Sequence, residues 1–170
     1  MTPISARPMV VEGRGEGGHW EGDLIIGQSN RSAIGTLVER QARFLILIHL
    51  PDAHSGEAIR DGIAEAVSTL PPALRRTLTW DQGKEMALHQ QTRELTGMEI
   101  YFCDAHSPWQ RGSNENTNGL LRQYFPKVTD LRVHSPATLA AVAAELNNRP
   151  RKTLAWAAPT DLFEQLLSSA

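Results

Sequence analysis

Cysteine is nearly absent. Cys103 stands alone among 170 residues, so no intrachain disulfide can form, and with no signal-peptide stretch at the start a reducing cytoplasm is expected. Long apolar runs are missing too: the longest, Phe44 to Leu50 broken only by His49, is strand-sized, so no membrane partner is expected. Six histidines are scattered and, with one cysteine, give no zinc spacing. No glycine-rich phosphate cradle, nucleophile elbow or Ser-His-Asp spacing is found. A surplus of cations is also lacking, since 17 Lys and Arg face 19 Asp and Glu, a poor balance for a nucleic-acid partner. The local distribution softens that objection. From Arg111 to Lys152 the basic residues Arg111, Arg122, Lys127, Arg132, Arg149, Arg151 and Lys152 outnumber Glu115, Asp130 and Glu145.

The chain has room for one domain with a proper core. Residues 1–18 hold Pro3, Pro8 and four glycines without periodic apolar positions and read as an extended, poorly ordered leader; the core domain is expected over 19–168. Strands are expected near Asp23–Gly27, Ala33–Glu39 and Phe44–Leu50, joined by short polar turns as an antiparallel meander. The third has almost no polar alternation, which predicts a strand covered on both faces at the middle of the sheet. Ile59, Ile63, Ala66, Val67 and Leu70 then form one helical stripe ended by Pro71-Pro72. Leu78–Trp80 reads as a strand, a helix from about Lys84 stops at Gly97, and Ile100–Cys103 is the next strand. After a loop over Asp104–Gly112, Ser113 or Asn114 can cap a helix ending before Pro126, and further helices are expected from Ser135 and over Thr160–Leu167. This order fits a ribonuclease-H-like α/β domain, a mixed five-stranded sheet flanked by helices.

Three acids occupy element ends: Asp23 in Gly-His-Trp-Glu-Gly-Asp-Leu-Ile-Ile, Asp81 in Thr-Trp-Asp-Gln-Gly-Lys-Glu, and Glu115 in Gly-Ser-Asn-Glu-Asn-Thr-Asn-Gly. Carboxylates gathered from such ends can hold hard divalent cations, which points to phosphoryl transfer on nucleic acid. Each also has a plainer reading. Asp23 suits an exposed strand start, Asp81 a turn before Gly83, and Glu115 the first turn of a helix, where the dipole favours an anion. Asn114, Asn116 and Asn118 shift the balance at Glu115, because they are poor helix formers and local rule-breaking is expected at working sites. Glu85 is the main competitor for the third acid; Glu21, Asp52 and Asp104 are weaker ones. Trp109, with polar flanks, suits base stacking, and His106 in the same loop suits substrate contact.

From Gly18 to Leu167 the chain resembles the catalytic core of bacterial insertion-sequence transposases of the IS-thirty family, within the retroviral-integrase superfamily. The resemblance is carried by residues 18–27, by Trp-Asp-Gln-Gly-Lys-Glu at 80–85, and by Ser-Pro-Trp-Gln-Arg-Gly-Ser-Asn-Glu-Asn-Thr-Asn-Gly-Leu-Leu-Arg-Gln-Tyr-Phe-Pro-Lys at 107–127. The 33 residues between Asp81 and Glu115, and Arg122 seven residues further on, match such enzymes. The resemblance implies that Asp23, Asp81 and Glu115 form an acidic triad holding two magnesium ions, with manganese as a substitute; Asp23, coming from the central sheet, is expected to be the bridging ligand. It also implies DNA strand cleavage and transfer in transposition, integration and recombination. DNA contacts are expected from Lys84, Trp109, Arg111, Asn118, Arg122 and Lys127. The implied partners are transposon ends and target DNA, with copies assembling on the DNA in a bacterial, nucleoid-associated setting. Such transposases carry an N-terminal helix-turn-helix region, and no recognition helix is found in this sequence, so an excised fragment or truncated reading frame is expected. Two other readings stand beside the first: an idle remnant that only binds DNA or multimerises, and a ribonuclease or junction nuclease of the same fold, against which the Asn-Glu-Asn helix with its basic continuation argues.

Overall fold

The computed structural model describes residues 1–51 and 55–170, so Asp52 and His54 lie outside the described residues. A short helix α1 (Met9–Glu12) precedes the meander β1 (His19–Ile26), β2 (Ala33–Glu39) and β3 (Leu45–Leu50). There follow α2 (Gly56–Val67), β4 (Thr77–Trp80), α3 (His89–Thr96), β5 (Glu99–Phe102), α4 (Gly112–Leu121), α5 (Pro136–Asn147) and α6 (Pro159–Ser169). Ser55 and Ser135 cap α2 and α5 through the N–H groups of Ala58 and Thr138. Gly97 ends α3 in the left-handed region at φ 75°.

The strands, among the described residues, form one mixed sheet in the order β3-β2-β1-β4-β5, with β1 antiparallel to β2 and parallel to β4. β3 is therefore an edge strand, not the middle one. Its apolar run is explained by cover above and below, since α2 and α5 both pack on it. An uninterrupted apolar pattern reports how many faces are buried and says nothing of lateral neighbours. At that edge Asn147 pairs with the main chain of Leu45, accepting from its N–H at 2.8 Å and donating to its C=O at 2.9 Å.

Strand alternation divides the core. Trp20, Leu37, Ile48, Leu78, Trp80 and Phe102 lie with α2 and Phe163 of α6, whereas Ile25, Ile34, Val38 and Leu45 meet Leu121, Leu139 and Leu146. Gly22 has no side chain for a reason: an added Cβ would lie 2.1 Å from the Trp80 ring. The second face also carries Glu21, Asp23, Thr36 and Thr79, and this polar centre is where α4 is laid down.

The first residues are not a loose leader. Phe102 N–H bonds to Thr2 C=O at 2.8 Å, Pro3 bridges Phe102 along β5, and Ile4, Arg7 and Val11 are buried. Arg7 donates to Thr79 Oγ1 at 3.0 Å. Few apolar residues suffice because they dock on a sheet built by the rest of the chain, so the segment shows no periodicity of its own.

Candidate active site

Asp23 lies inside β1 opposite Thr36 of β2, with 22 % of its side chain exposed. Its Oδ1 accepts from Leu24 N–H at 2.8 Å and its Oδ2 from Asn118 Nδ2 at 3.1 Å. Asp81 follows β4 and accepts from Gln82 N–H at 2.8 Å. Glu115 is in the first turn of α4, and that helix is seated by an asparagine ladder. Asn114 Nδ2 donates to Glu21 C=O at 3.2 Å and to Thr36 Oγ1 at 3.1 Å, while Asn118 Nδ2 also donates to Asn114 Oδ1 at 3.2 Å. Asn114 and Asn118 are one turn apart, so both reach the sheet. Ser113 Oγ accepts from Arg14 and Arg43, tying the helix start to the N-terminal segment and the β2–β3 turn.

Arg111 joins the three acids. It precedes α4, at the end of a 3-10 turn over Pro108–Arg111, and only 4 % of its side chain is exposed. Its Nη1 lies 3.2 Å from Asp23 Oδ2 and donates to Gly22 C=O at 3.0 Å. Its Nη2 lies 3.6 Å from Asp81 Oδ2 and 3.8 Å from Glu115 Oε1. Burial raises the Asp23 pKa above its ordinary range; Arg111 opposes this and the Asp81 charge adds to it. The Glu115 carboxyl is raised as well, first by burial and then by the Asp23 charge. Desolvation lowers the Arg111 pKa, but Asp23, Cys103 and Asp81 together outweigh it and leave it raised.

As placed around a guanidinium, no three His, Cys, Asp or Glu side chains among the described residues close on a point as a metal cage. The donor set itself suits a hard divalent cation, because three carboxylates already share one cation. Glu85 is not among them, since its Oε1 accepts from Trp80 Nε1 at 3.5 Å. The thiol of buried Cys103, beside Arg111, is pushed up to about 11 by burial.

The expected DNA contacts divide. Arg111 is corrected: it is buried and engaged by carboxylates, not turned to solvent. Asn118 likewise faces Asp23. Arg122, half-buried, donates to Ile26 C=O at 3.3 Å and Phe125 C=O at 3.4 Å, tying the end of α4 to β1. Lys84, Trp109 and Lys127 are exposed, Trp109 at 73 %. What sequence reasoning missed is the bridging place of Arg111 and the seating by Asn114 and Thr36. The asparagines' poor helix propensity was the available signal. A cavity of about 760 Å3 along β3, between α2 and α5, is lined by none of the acids and has mostly apolar walls.

The chain matches the integrase core domain family over residues 13–108, a stretch that includes Asp23 and Asp81 and stops before Glu115. It is 52% identical over 169 residues to the transposase for insertion sequence element IS1086 of Cupriavidus metallidurans, covering 99% of this chain and 50% of that protein. It is 48% identical over 164 residues to transposase InsI for insertion sequence element IS30A of Escherichia coli, covering 96% of this chain and 42% of that one. The chain thus spans about half the length of the curated relatives it matches. Among solved structures, it is similar to a chain of the simian T-cell lymphotropic virus intasome in complex with PP2A regulatory subunit B56 gamma. The TM-score is 0.68 at 17% identity, over 86% of this chain and 54% of that one, a likeness of fold alone. The sheet and its helices are ribonuclease-H-like, and with over half of its residues matched, the chain belongs to the integrase core domain family.

Proposed function

We propose that the chain is the catalytic core of a DNA transposase, cutting a DNA strand and joining a 3′-hydroxyl end to a target strand through Asp23, Asp81 and Glu115. The observation that carries this reading is the convergence of three carboxylates, from β1, the end of β4 and α4, on one cationic group at 3.2 to 3.8 Å. In this reading Asp23, fixed by Leu24 N–H and Asn118, would hold the metal together with Asp81 and Glu115. Asp81 and Glu115, with 47 % and 44 % of their side chains exposed, are open to a substrate. Bound magnesium, or manganese in its place, would supply activation of the attacking water or 3′-hydroxyl and stabilisation of the leaving oxygen in an in-line displacement. Lys84 and Lys127 would hold phosphates and Trp109 would stack on a base, giving affinity that falls with salt and carries little sequence preference. Transposon ends and target DNA as partners, assembly of copies on DNA and a bacterial cytoplasmic setting belong to the same reading. Among the described residues no helix is long and apolar enough to cross a membrane.

The test is magnesium- and manganese-dependent nicking and strand joining on a branched oligonucleotide with a free 3′-hydroxyl, run beside Glu115→Gln. Activity in the parent and none in the variant is the expected result. Equal activity in both would overturn the triad assignment, and inactivity of both without manganese binding would favour the idle remnant.

A further inference from the structure

We propose that Arg111 is a displaceable counter-cation, holding the three carboxylates together in the metal-free protein and giving up at least two of them when a divalent cation binds. The inference rests on reading Asp23, Asp81 and Glu115 as metal ligands. Its basis is the position of the guanidinium, which is nearly fully buried and surrounded by the side chains a cation would need. Three ionised carboxylates brought together without a cation would repel one another and be poorly solvated. Arg111 removes one unit of that excess charge and leaves two.

Its contacts are unequal. The bonds to Asp23 at 3.2 Å and Gly22 C=O at 3.0 Å are short and lie in the buried half of the site. Those to Asp81 and Glu115 are longer, at 3.6 and 3.8 Å, and reach side chains nearly half open to solvent. Nη2 is therefore the end that lets go, with Nη1 able to stay on Gly22. The Nε of Arg111 is buried without a hydrogen-bond partner, so the side chain is not locked by a full set of bonds. Arg111 also sits between the 3-10 turn bearing exposed Trp109 and the first turn of α4 bearing Glu115.

A group that only braced the acids would weaken metal binding when removed, whereas a competing cation would strengthen it. Manganese binding by isothermal titration calorimetry on the chain and its Arg111→Gln form separates the two. The expected result is a Kd lower by about tenfold or more in the variant, as removal of a like charge within about 4 Å implies, together with lower thermal stability without metal. A Kd equal to or higher than the parent's would overturn the proposal and leave the metal-site reading standing. Absence of binding in both would overturn that reading and this proposal with it. Should Arg111→Gln not fold, the parent protein decides: the Arg111 side-chain nitrogen resonances must shift on magnesium saturation, and unchanged resonances would overturn the proposal.

Discussion

Asn118 shows why one side chain can serve packing and chemistry together. Its amide spans Asp23 Oδ2 and Asn114 Oδ1, so the carboxylate of β1 is oriented by the helix that also presents Glu115. Asn118→Ala would keep the fold and free Asp23 to rotate. Metal affinity or strand-transfer rate is expected to fall roughly ten- to a hundredfold, as for other partners that orient a ligand, measured by manganese titration and single-turnover joining. Cys103 makes a second prediction. With its thiol pushed up to about 11 and its side chain buried, it should resist iodoacetamide in the native protein at neutral pH and react once the chain is unfolded, which mass spectrometry would read. Asp81 and Glu115 could be singled out from sequence because each stands at an element end among unusual neighbours, whereas Asp23, expected at a strand start, lies in the interior of β1, which begins at His19. Arg111 could not, since its partners lie 4, 30 and 88 positions away in the sequence. An arginine in a locally basic stretch looks the same whether it faces phosphate or carboxylate.

Among the elements, legibility followed periodicity. The stripe from Ile59 and the helix start at Ser135 stand where the pattern puts them, because local hydrogen bonds and helical spacing decide them, whereas Ser113 and Asn114, expected as caps, lie inside α4, which starts at Gly112 without a side-chain cap. The edge position of β3 and the docking of residues 1–18 depend on contacts made far along the chain, and local pattern does not report those. At its start β1 also carries a titrating group. His19, buried between Thr77 Oγ1 at 2.8 Å and Glu16 Oε1 at 2.7 Å, has a pKa below its ordinary 6.5, because burial outweighs the pull of Glu16. The unfolded chain therefore binds a proton that the folded chain resists, and stability contributed by neutral His19 is lost as pH falls from 6.5 towards the lowered value. Urea denaturation between pH 7 and pH 5 should show a steeper loss in the parent than in His19→Gln, and parallel curves would refute it.

For the whole molecule, the near-neutral total charge conceals a site where three acids share one arginine while Lys84 and Lys127 stand exposed. Net charge is a sum and carries no positions, which is why composition argued against a nucleic-acid partner while the local pattern argued for one. The N-terminal segment also matters at this scale, since it brings Ile4 and Arg7 onto the sheet from outside it. Deleting residues 1–8 should lower unfolding free energy by roughly 2–4 kcal/mol, from one lost apolar anchor and the polar groups left unpaired, and should produce concentration-dependent light scattering.

That scattering would have a specific origin. Thr2 and Pro3 lie along the outer side of β5, and Asn147 occupies the main chain of Leu45 on the outer side of β3. At each margin one residue, Phe102 of β5 and Leu45 of β3, thus has its outward main chain already bonded and unavailable to a strand from a neighbour. If, as proposed, copies gather on one DNA molecule, these bonded stretches of the two margins are closed to strand pairing between them.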